Sequence, residues 1–458
     1  MKKILKRFII IVIFSNIKRS KIMEKLFKLQ EKGTTVGREI VAGITTFLAM
    51  AYILAVNPGM LGSIGNGMTF GSVFTATAIA SAVATLVMAF WANLPVALAP
   101  GMGLNAFFTY TVCFGMGCSW QLALTAVFVE GIIFIILSLF GIREKIITAI
   151  PSGMKKAVAV GIGLFIALIG LANAGVVSSE TGTIIGFVNF NMSAKPAVVA
   201  MLGLVITVVL YLLKVPGAIL LAIIATTIIG IPFGVTTIPE GWKPFSLPEA
   251  PLLCKFEWAG VLSVKFFIIM FTFLFTDLFD TIGTLMGVTQ QAGLVDKEGN
   301  IPNAKAALMS DSIGTVVGAC LGTSTVTSFV ESSSGVAAGG RTGLTSVTTG
   351  VLFLLALFMT PLFALIPSAA TAPALIFVGF LMMQQVVDID WKDPTEGIPA
   401  FVTIIAMPFA YSISKGICLG MIAYVIAKCA GKKVKDIPVA TWILAVIFIA
   451  DIIFEAVK

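Results

Sequence analysis

Apolar runs long enough to cross a bilayer, roughly 17–25 residues each, recur along almost the whole chain and leave it few arrangements. They fall at 39–58, 70–90, 119–141, 155–174, 196–213, 215–235, 263–286, 303–321, 343–366, 368–388, 397–413 and 414–430. Two further stretches, 96–115 and 322–338, are apolar enough to lie in the membrane but are broken by Gly, Pro and Ser. Counting both gives fourteen crossings, and an even count returns the chain to the side on which it began. A last run, 438–456, is expected on the cytoplasmic surface rather than as a fifteenth pass, because Asp451 and Glu455 would be costly in lipid. Only 11% of the 458 residues are charged, against about 25% in soluble domains. A spanning helix needs no charged cover, since it satisfies its own backbone and shows apolar side chains to the acyl tails. The pattern is that of an all-α polytopic membrane protein.

The net charge of +8 does not point to nucleic acid, because of where the charges sit. Eleven of the 30 Lys and Arg precede the first run, from Lys2 to Arg38. Others occupy short connections, such as Arg143, Lys145, Lys155 and Lys156, or Lys428, Lys432, Lys433 and Lys435. Basic connections are retained in the cytoplasm, so the expected location is the cytoplasmic membrane with the N-terminus inside. There is no histidine, which excludes His–metal sites and His acid–base chemistry. The six cysteines form no CxxC pair and lie mostly in apolar runs, so no disulfide framework, metal or cofactor is expected.

The two halves echo each other. Ile150-Pro151-Ser152 and Ile366-Pro367-Ser368 each precede a Gly- and Val-rich run, and the split at Lys214-Val215-Pro216 parallels one at Ser414-Lys415-Gly416. Each half holds one broken segment in third place, Pro100 to Asn105 and Ser328 to Gly340. Matched Gly/Pro interruptions, one per half, are a pointer to a transporter binding site. Seven crossings per half is odd, so the second copy must be inverted.

Charges inside a bilayer cost about 2.5–3.5 kcal/mol for a mid-helix Asp on insertion scales, so they are rare and usually functional. Asp277, Asp280 and Thr284 fall at helical spacing within FIIMFTFLFTDLFDTIGTLMGV and share one face. Glu331 stands alone in the small-residue stretch 324–343, beside Ser332. Asn105 follows the Pro/Gly break of the first half and offers two donors and an acceptor. Glu130 and Asp311, also in apolar runs, are read as packing or proton-access groups. A passive channel would use the same crossings without uphill uptake. An anion exchanger would want a cation at the site, where Arg341 is the sole neighbour in sequence. An enzyme finds no nucleophile–base pair.

At these residues the chain resembles the AzgA-like purine permeases, relatives of the nucleobase:cation symporter-2 and nucleobase–ascorbate transporters. The matching stretches are GITTFLAMAYILAVNP (43–58), LAPGMGLNAFFTYTV (98–112), FTDLFDTIGTLMG (275–287), SFVESSSGVAAGGRTGLTS (328–346) and IPAFVTIIAMPFAYSISKGI (398–417). The resemblance implies fourteen crossings in two inverted seven-segment repeats, the third and tenth broken by short strands. A core domain (39–145 and 263–366) would move against a gate domain (146–235 and 367–430), with 438–458 as a C-terminal apolar helix. It implies a purine base as substrate, protons as coupling ion, a homodimer and no nucleic-acid partner. Asn105, Phe107, Asp277, Asp280, Thr284, Glu331 and Ser332 would line the substrate site, with Asp280 and Glu331 carrying the coupled proton. Phe107 or Phe279 would sandwich the base.

Residues 1–22 depart from that pattern. MKKILKR and the apolar FIIIVIF lead to no small-residue cleavage site, and Met23 opens a stretch that reads as a cytoplasmic start. The segment is expected to be an upstream extension or a short interfacial element. Peptide mapping of the native protein should recover no abundant peptides from residues 8–22.

Overall fold

The computed structural model describes residues 23–140, 151–179, 185–188, 194–295 and 301–442 apart from Lys25 and Ala440, together with 445, 446, 448 and 449. The side chains of Ser152 and Phe279 are likewise outside the described set. So are the expectations for residues 1–22, for Arg143 and Lys145, and for most of 438–458.

Helix starts are set by short polar side chains at the ends of apolar runs. α1 (Val36–Met50) begins at Thr35, whose hydroxyl accepts from the Arg38 amide, and leads through Ala51 and Tyr52 into α2 (Ile53–Gly62). α3 (Phe70–Val87) opens with a reciprocal Thr69/Ser72 capping box and ends in a π-helical turn, Met88–Ala92, closed by left-handed Asn93. Strand β1 (Leu98–Pro100) and α4 (Met102–Ala106), continued as π-helix over Phe107–Gly115, follow. Then come α5 (Trp120–Leu139) and α6 (Ser152–Asn173), and an antiparallel pair of strands, β2 (Val177–Ser178) and β3 (Gly186–Phe187). α7 (Lys195–Leu212) and α8 (Ala218–Gly230) end the first half.

The second half opens with the longest helix, α9 (Val264–Gln291), capped by Ser263. It continues with α10 (Ala304–Leu321), strand β4 (Val326–Ser328) and the short α11 (Ser332–Ala337). α12 (Gly343–Ala356), α13 (Thr360–Ala364), α14 (Ser368–Met383), α15 (Pro394–Phe409) and α16 (Ile413–Ala430) complete it.

Among the described residues ten helices are long and apolar enough to cross a membrane, and α8 is a shorter apolar one. Their outward faces are apolar: α7 exposes Leu202, Val205, Val209 and Leu212, and α12 exposes Val351, Leu354 and Leu355. Such surface suits lipid and not water. The chain is a mostly helical multi-pass membrane protein. Two boundaries differ from the sequence reading. The run 215–235 shortens to α8 because Lys214 and Gly217 adopt left-handed backbone just before it. The split placed at Ser414-Lys415-Gly416 falls instead at Ala410–Ser412, because the Ser412 hydroxyl caps α16.

The helices pack as two bodies. One contains α1, α2, α3, α5, α9, α10 and α12 around the strands and α11; the other contains α6, α7, α8, α14, α15 and α16, and contacts between them are thin. α6 and α14 make the most extensive contact in the molecule. Both helices begin directly after a proline, Pro151 and Pro367. They cross where Gly163 and Gly379, at the same offset from each helix start, face one another's carbonyl oxygens. Small residues let spanning helices approach this closely, where packing replaces the hydrophobic drive. A side chain at either position would meet main chain.

At one end of this second body, Asp393 caps α15 through the Thr395 amide (3.0 Å) and pairs with Lys433 at 2.5 Å. The bond from Lys433 is the largest of the influences that hold its carboxyl down at about 2.

Two outcomes follow. Gly379→Leu should destabilise the purified protein by at least the ~1–3 kcal/mol typical of overpacking, read as a lower thermal midpoint. A depressed carboxyl adds stability that is present above its ordinary value of ~3.9 and fades as pH falls toward 2. Asp393→Asn should therefore remove part of the loss of stability between pH 4 and 2 in unfolding curves.

Candidate functional site

Buried non-helical backbone must satisfy its own polar groups, and here β1 and β4, both fully buried, do so by pairing. β1 and β4 run antiparallel, with Leu98 opposite Ser328, Ala99 opposite Thr327 and Pro100 opposite Val326. The pairing extends through Gly101 N to Thr325 O (3.0 Å) and Phe329 N to Ala97 O (2.9 Å). Hydroxyls close the outer edges. Thr85 of α3 accepts from Leu98 N (2.9 Å) and donates to Leu98 O (3.1 Å). Thr315 of α10 donates to Val326 O (2.9 Å). The Ser332 hydroxyl accepts from Ala97 N (3.0 Å).

From this crossing α4 and α11 lead away, so the first-turn amides of both lie beside the strands. Gly101 caps α4, and a Cβ there would stand 2.6 Å from the Thr327 methyl and 3.6 Å from an Asp280 carboxylate oxygen. Only glycine fits between them. Glu331 caps α11, and its Oε1 accepts from the Tyr52 hydroxyl at 2.6 Å. Asp280, Glu331 and Tyr52 are close enough to feel one another's charge.

The site residues expected from sequence divide into two groups. Asp280 and Glu331 are only partly buried and converge on the crossing from α9 and α11. Asn105, Phe107, Asp277, Thr284 and Ser332 are buried. Asn105 accepts from the Ser324 hydroxyl and donates to Pro100 O (3.3 Å), so it fastens α4 to β1 and to the residues entering β4. The Phe107 ring packs edge-on against Phe273, centroids 4.8 Å apart. Asp277 accepts from Thr281 at 3.3 Å, and Thr281 also bonds Asp311 (2.6 Å) and Thr327 (2.7 Å). That junction ties α9, α10 and β4 together behind the site. Glu130 accepts from Thr325 at 2.8 Å and steadies the strand from α5. Among the described residues no three acidic or Cys side chains gather as a metal cage.

Three residues at or near the site escaped sequence reasoning. Tyr52 reads as an aromatic packing residue in an apolar run, and only its hydroxyl could have marked it. Asn57 donates to Thr77 and Thr323, both at 2.8 Å, bridging α2, α3 and the approach to β4. Glu39 is fully buried and accepts from the amides of Arg341, Thr342 and Thr345 and the hydroxyls of Thr342 and Thr345. It satisfies the free donors at the start of α12. Its place at the edge of the first run hid it.

A profile of the permease family matches residues 37–419. The chain belongs to the permease family. This permease is 48% identical over 430 residues to a protein of Methanocaldococcus jannaschii, covering 93% of this chain and 97% of that one. It is 44% identical over 443 residues to the guanine/hypoxanthine permease PbuG of Bacillus subtilis, covering 94% and 100%. It is 41% identical over 432 residues to the adenine permease AdeP of Escherichia coli, covering 94% and 96%. Among solved structures it shares the fold of the transmembrane domain of the cyanobacterial bicarbonate transporter BicA, with a TM-score of 0.60 at 16% identity over 84% of this chain and 96% of that one. It also shares the fold of SLC26A9, with a TM-score of 0.59 at 12% identity over 90% and 70%.

The two groups of residues should separate in stability measurements. Asn105→Ala leaves a buried carbonyl and hydroxyl without their partner and should cost the permease about 1–3 kcal/mol, seen as a lower thermal midpoint. Asp280→Asn, at a partly open position, should leave that midpoint close to the parent's.

Proposed function

We propose that this permease imports purine nucleobases (hypoxanthine, guanine or adenine) across the cytoplasmic membrane by proton symport. The observation that carries the reading is the 41–44% identity, over 94% of the chain, to proteins named adenine and guanine/hypoxanthine permeases. The site's chemistry fits. A purine offers ring N–H donors along one edge and ring nitrogen or carbonyl acceptors along another. Asp280 and Glu331 suit the donors, and the amides that begin α4 suit the acceptors. Phe107 or Phe279 would sandwich the ring plane. Asn105, Asp277, Thr284 and Ser332 complete the proposed set, Asn105, Asp277 and Ser332 by holding the strands and α9 that present the open groups.

Carrying an ionised carboxylate through a low-dielectric barrier is costly. A proton that arrives with the base and rests on Asp280 or Glu331 removes that cost, and coupling follows. The moving unit would be the first packing body, residues 39–145 and 263–366, sliding against a gate of 146–235 and 367–430 in an elevator-like step. The proposed topology is fourteen segments in two inverted repeats: the ten long helices, α8, α15 and the two strand-and-helix segments. It places Lys156, Arg341, Lys428 and Lys433 at one end of the molecule, which makes that end and the N-terminus cytoplasmic. A homodimer is the proposed assembly.

The shared fold with bicarbonate and SLC26 proteins raises anion transport as a second reading. The site argues against it. Arg341, the cation nearest in sequence, donates to the carbonyls of Val336 (2.7 Å) and Gly340 (2.6 Å) and so caps the end of α11. An anion would face two carboxylates.

In cells lacking their own purine permeases, the protein should take up radiolabelled hypoxanthine in a protonophore-sensitive way, with one or two purines competing and uracil not. Glu331→Ala and Asp280→Ala should each abolish uptake at normal protein level. Near-normal uptake in either variant would refute that residue's role, and no uptake of any base would refute the substrate class.

A further inference from the structure

The connection between α8 and α9, residues 231–263, has no helix or strand, yet most of it is tightly held. Its first part stays with α8: Val235 N bonds Gly230 O (2.9 Å) and the Thr236 hydroxyl bonds Thr227 O (2.8 Å). From Trp242 onward, apart from local turns, its bonds go to the other packing body. Trp242 Nε1 donates to Pro361 O (3.1 Å), Ser246 N to Phe358 O (3.0 Å), and the Thr69 hydroxyl to Glu249 (2.5 Å). Further along, Glu257 exchanges two 2.9 Å bonds with Thr125. Residues 242–262 are thus a strap across the ends of α3, α5, α10 and α13. The turn left free between the two attachments is 237–241, ending in left-handed Gly241 with open space around it.

The strap meets α10 by main chain, Leu252 N to Leu321 O (3.0 Å) and Cys254 N to Cys320 O (2.7 Å). The second bond brings two free cysteines side by side, Cys254 exposed and Cys320 half-buried. With standard backbone bond lengths a 2.7 Å N···O bond keeps the two Cα atoms within roughly 6.6 Å of each other, inside the ~4.4–6.8 Å that a disulfide spans. Cysteines that merely fill apolar space are buried; Cys254 is on the surface, in the left-handed region at φ 48°, with its one sulfur neighbour beside it.

We propose that Cys254 and Cys320 are a redox-active dithiol pair that closes to a disulfide and staples the strap to the end of α10. In the topology proposed above this end faces outward, where disulfides persist. The oxidant is a small-molecule disulfide. The Cys254 thiolate attacks it, releasing one thiol and leaving a mixed disulfide; Cys320 then attacks the Cys254 sulfur and expels the second. Two electrons pass from the cysteine pair to the oxidant, and the two thiol protons leave with its halves. Because both ends of the bond ride on one body, the staple fixes the strap without bridging the gap across which the bodies slide.

The test treats the full-length protein in membrane vesicles with oxidised glutathione and maps its peptides by mass spectrometry. The expected product is a peptide pair joined through Cys254 and Cys320, lighter by two hydrogens and released by reductant. In Cys320→Ser, Cys254 should instead retain one glutathione. Glutathione trapped on Cys254 of the parent protein, or both thiols still open to a maleimide, would overturn the pair. This arm needs no substrate, so it stands apart from the purine reading on which the transport arm rests. There, oxidised and reduced protein should take up hypoxanthine within twofold of each other. A loss of tenfold or more that reductant reverses, and that Cys320→Ser lacks, would show that the strap must move off α10 during transport.

Discussion

The pairing of β1 with β4 is the contact on which the site depends. Two stretches of extended backbone, one from each half, lie inside a chain whose outer surface is built for lipid. Each unmet N–H or C=O there would cost several kcal/mol. Six paired residues cannot settle that account alone, because each strand keeps one edge free. Thr85, Thr315 and Ser332 close those edges, and Thr281, Asn105 and Glu130 fix the residues on either side. Most of the polar groups buried at the centre are therefore scaffolding for the strands. What the scaffold leaves partly open is small: Asp280 and Glu331.

This division explains why the molecule tolerates so much buried polarity. A hydroxyl that back-bonds to its own helix or to a strand edge adds no charge. The acidic groups are spread so that nearly every one meets a hydroxyl or amide: Glu39 the start of α12, Glu130 Thr325, Asp277 and Asp311 Thr281, Glu331 Tyr52. Cations are kept to the ends, where Lys428 pairs with Glu396 at 2.7 Å and Arg341 caps α11. The second packing body follows another rule. Its most extensive contact, between α6 and α14, is a close approach at Gly163 and Gly379 with little directional chemistry. The first body is thus tied mainly by hydrogen bonds and the second by fit, and the contact between them is thin.

Much of this was legible in the sequence, and the reason differs by element. The long helices are visible because lipid imposes an apolar run of fixed length. Asp280 and Glu331 are visible because a carboxylate in an apolar or small-residue run has few structural excuses. Strand pairing leaves no such trace: three residues per strand are too few for an alternating pattern, and the partners lie more than two hundred residues apart. Tyr52 is hidden for a related reason, since its ring reads as packing and only the folded chain brings Glu331 to its hydroxyl. The strap at 242–262 is hidden because irregular polar backbone has no period, although it is among the better-tied parts of the molecule.

The same backbone serves proteins named for bicarbonate and for other anions, so its shape cannot choose the cargo. What the crossing supplies is general: paired strands from the two halves, each leading into a short helix. Selection must come from the few side chains added around that point. Here they are acidic, and the nearest arginine in sequence is spent on the end of its own short helix. In the proposed reading, two partly open carboxylates would disfavour a small anion and suit a neutral planar ring that presents donors. On that reading the choice of cargo would rest on Asp280 and Glu331.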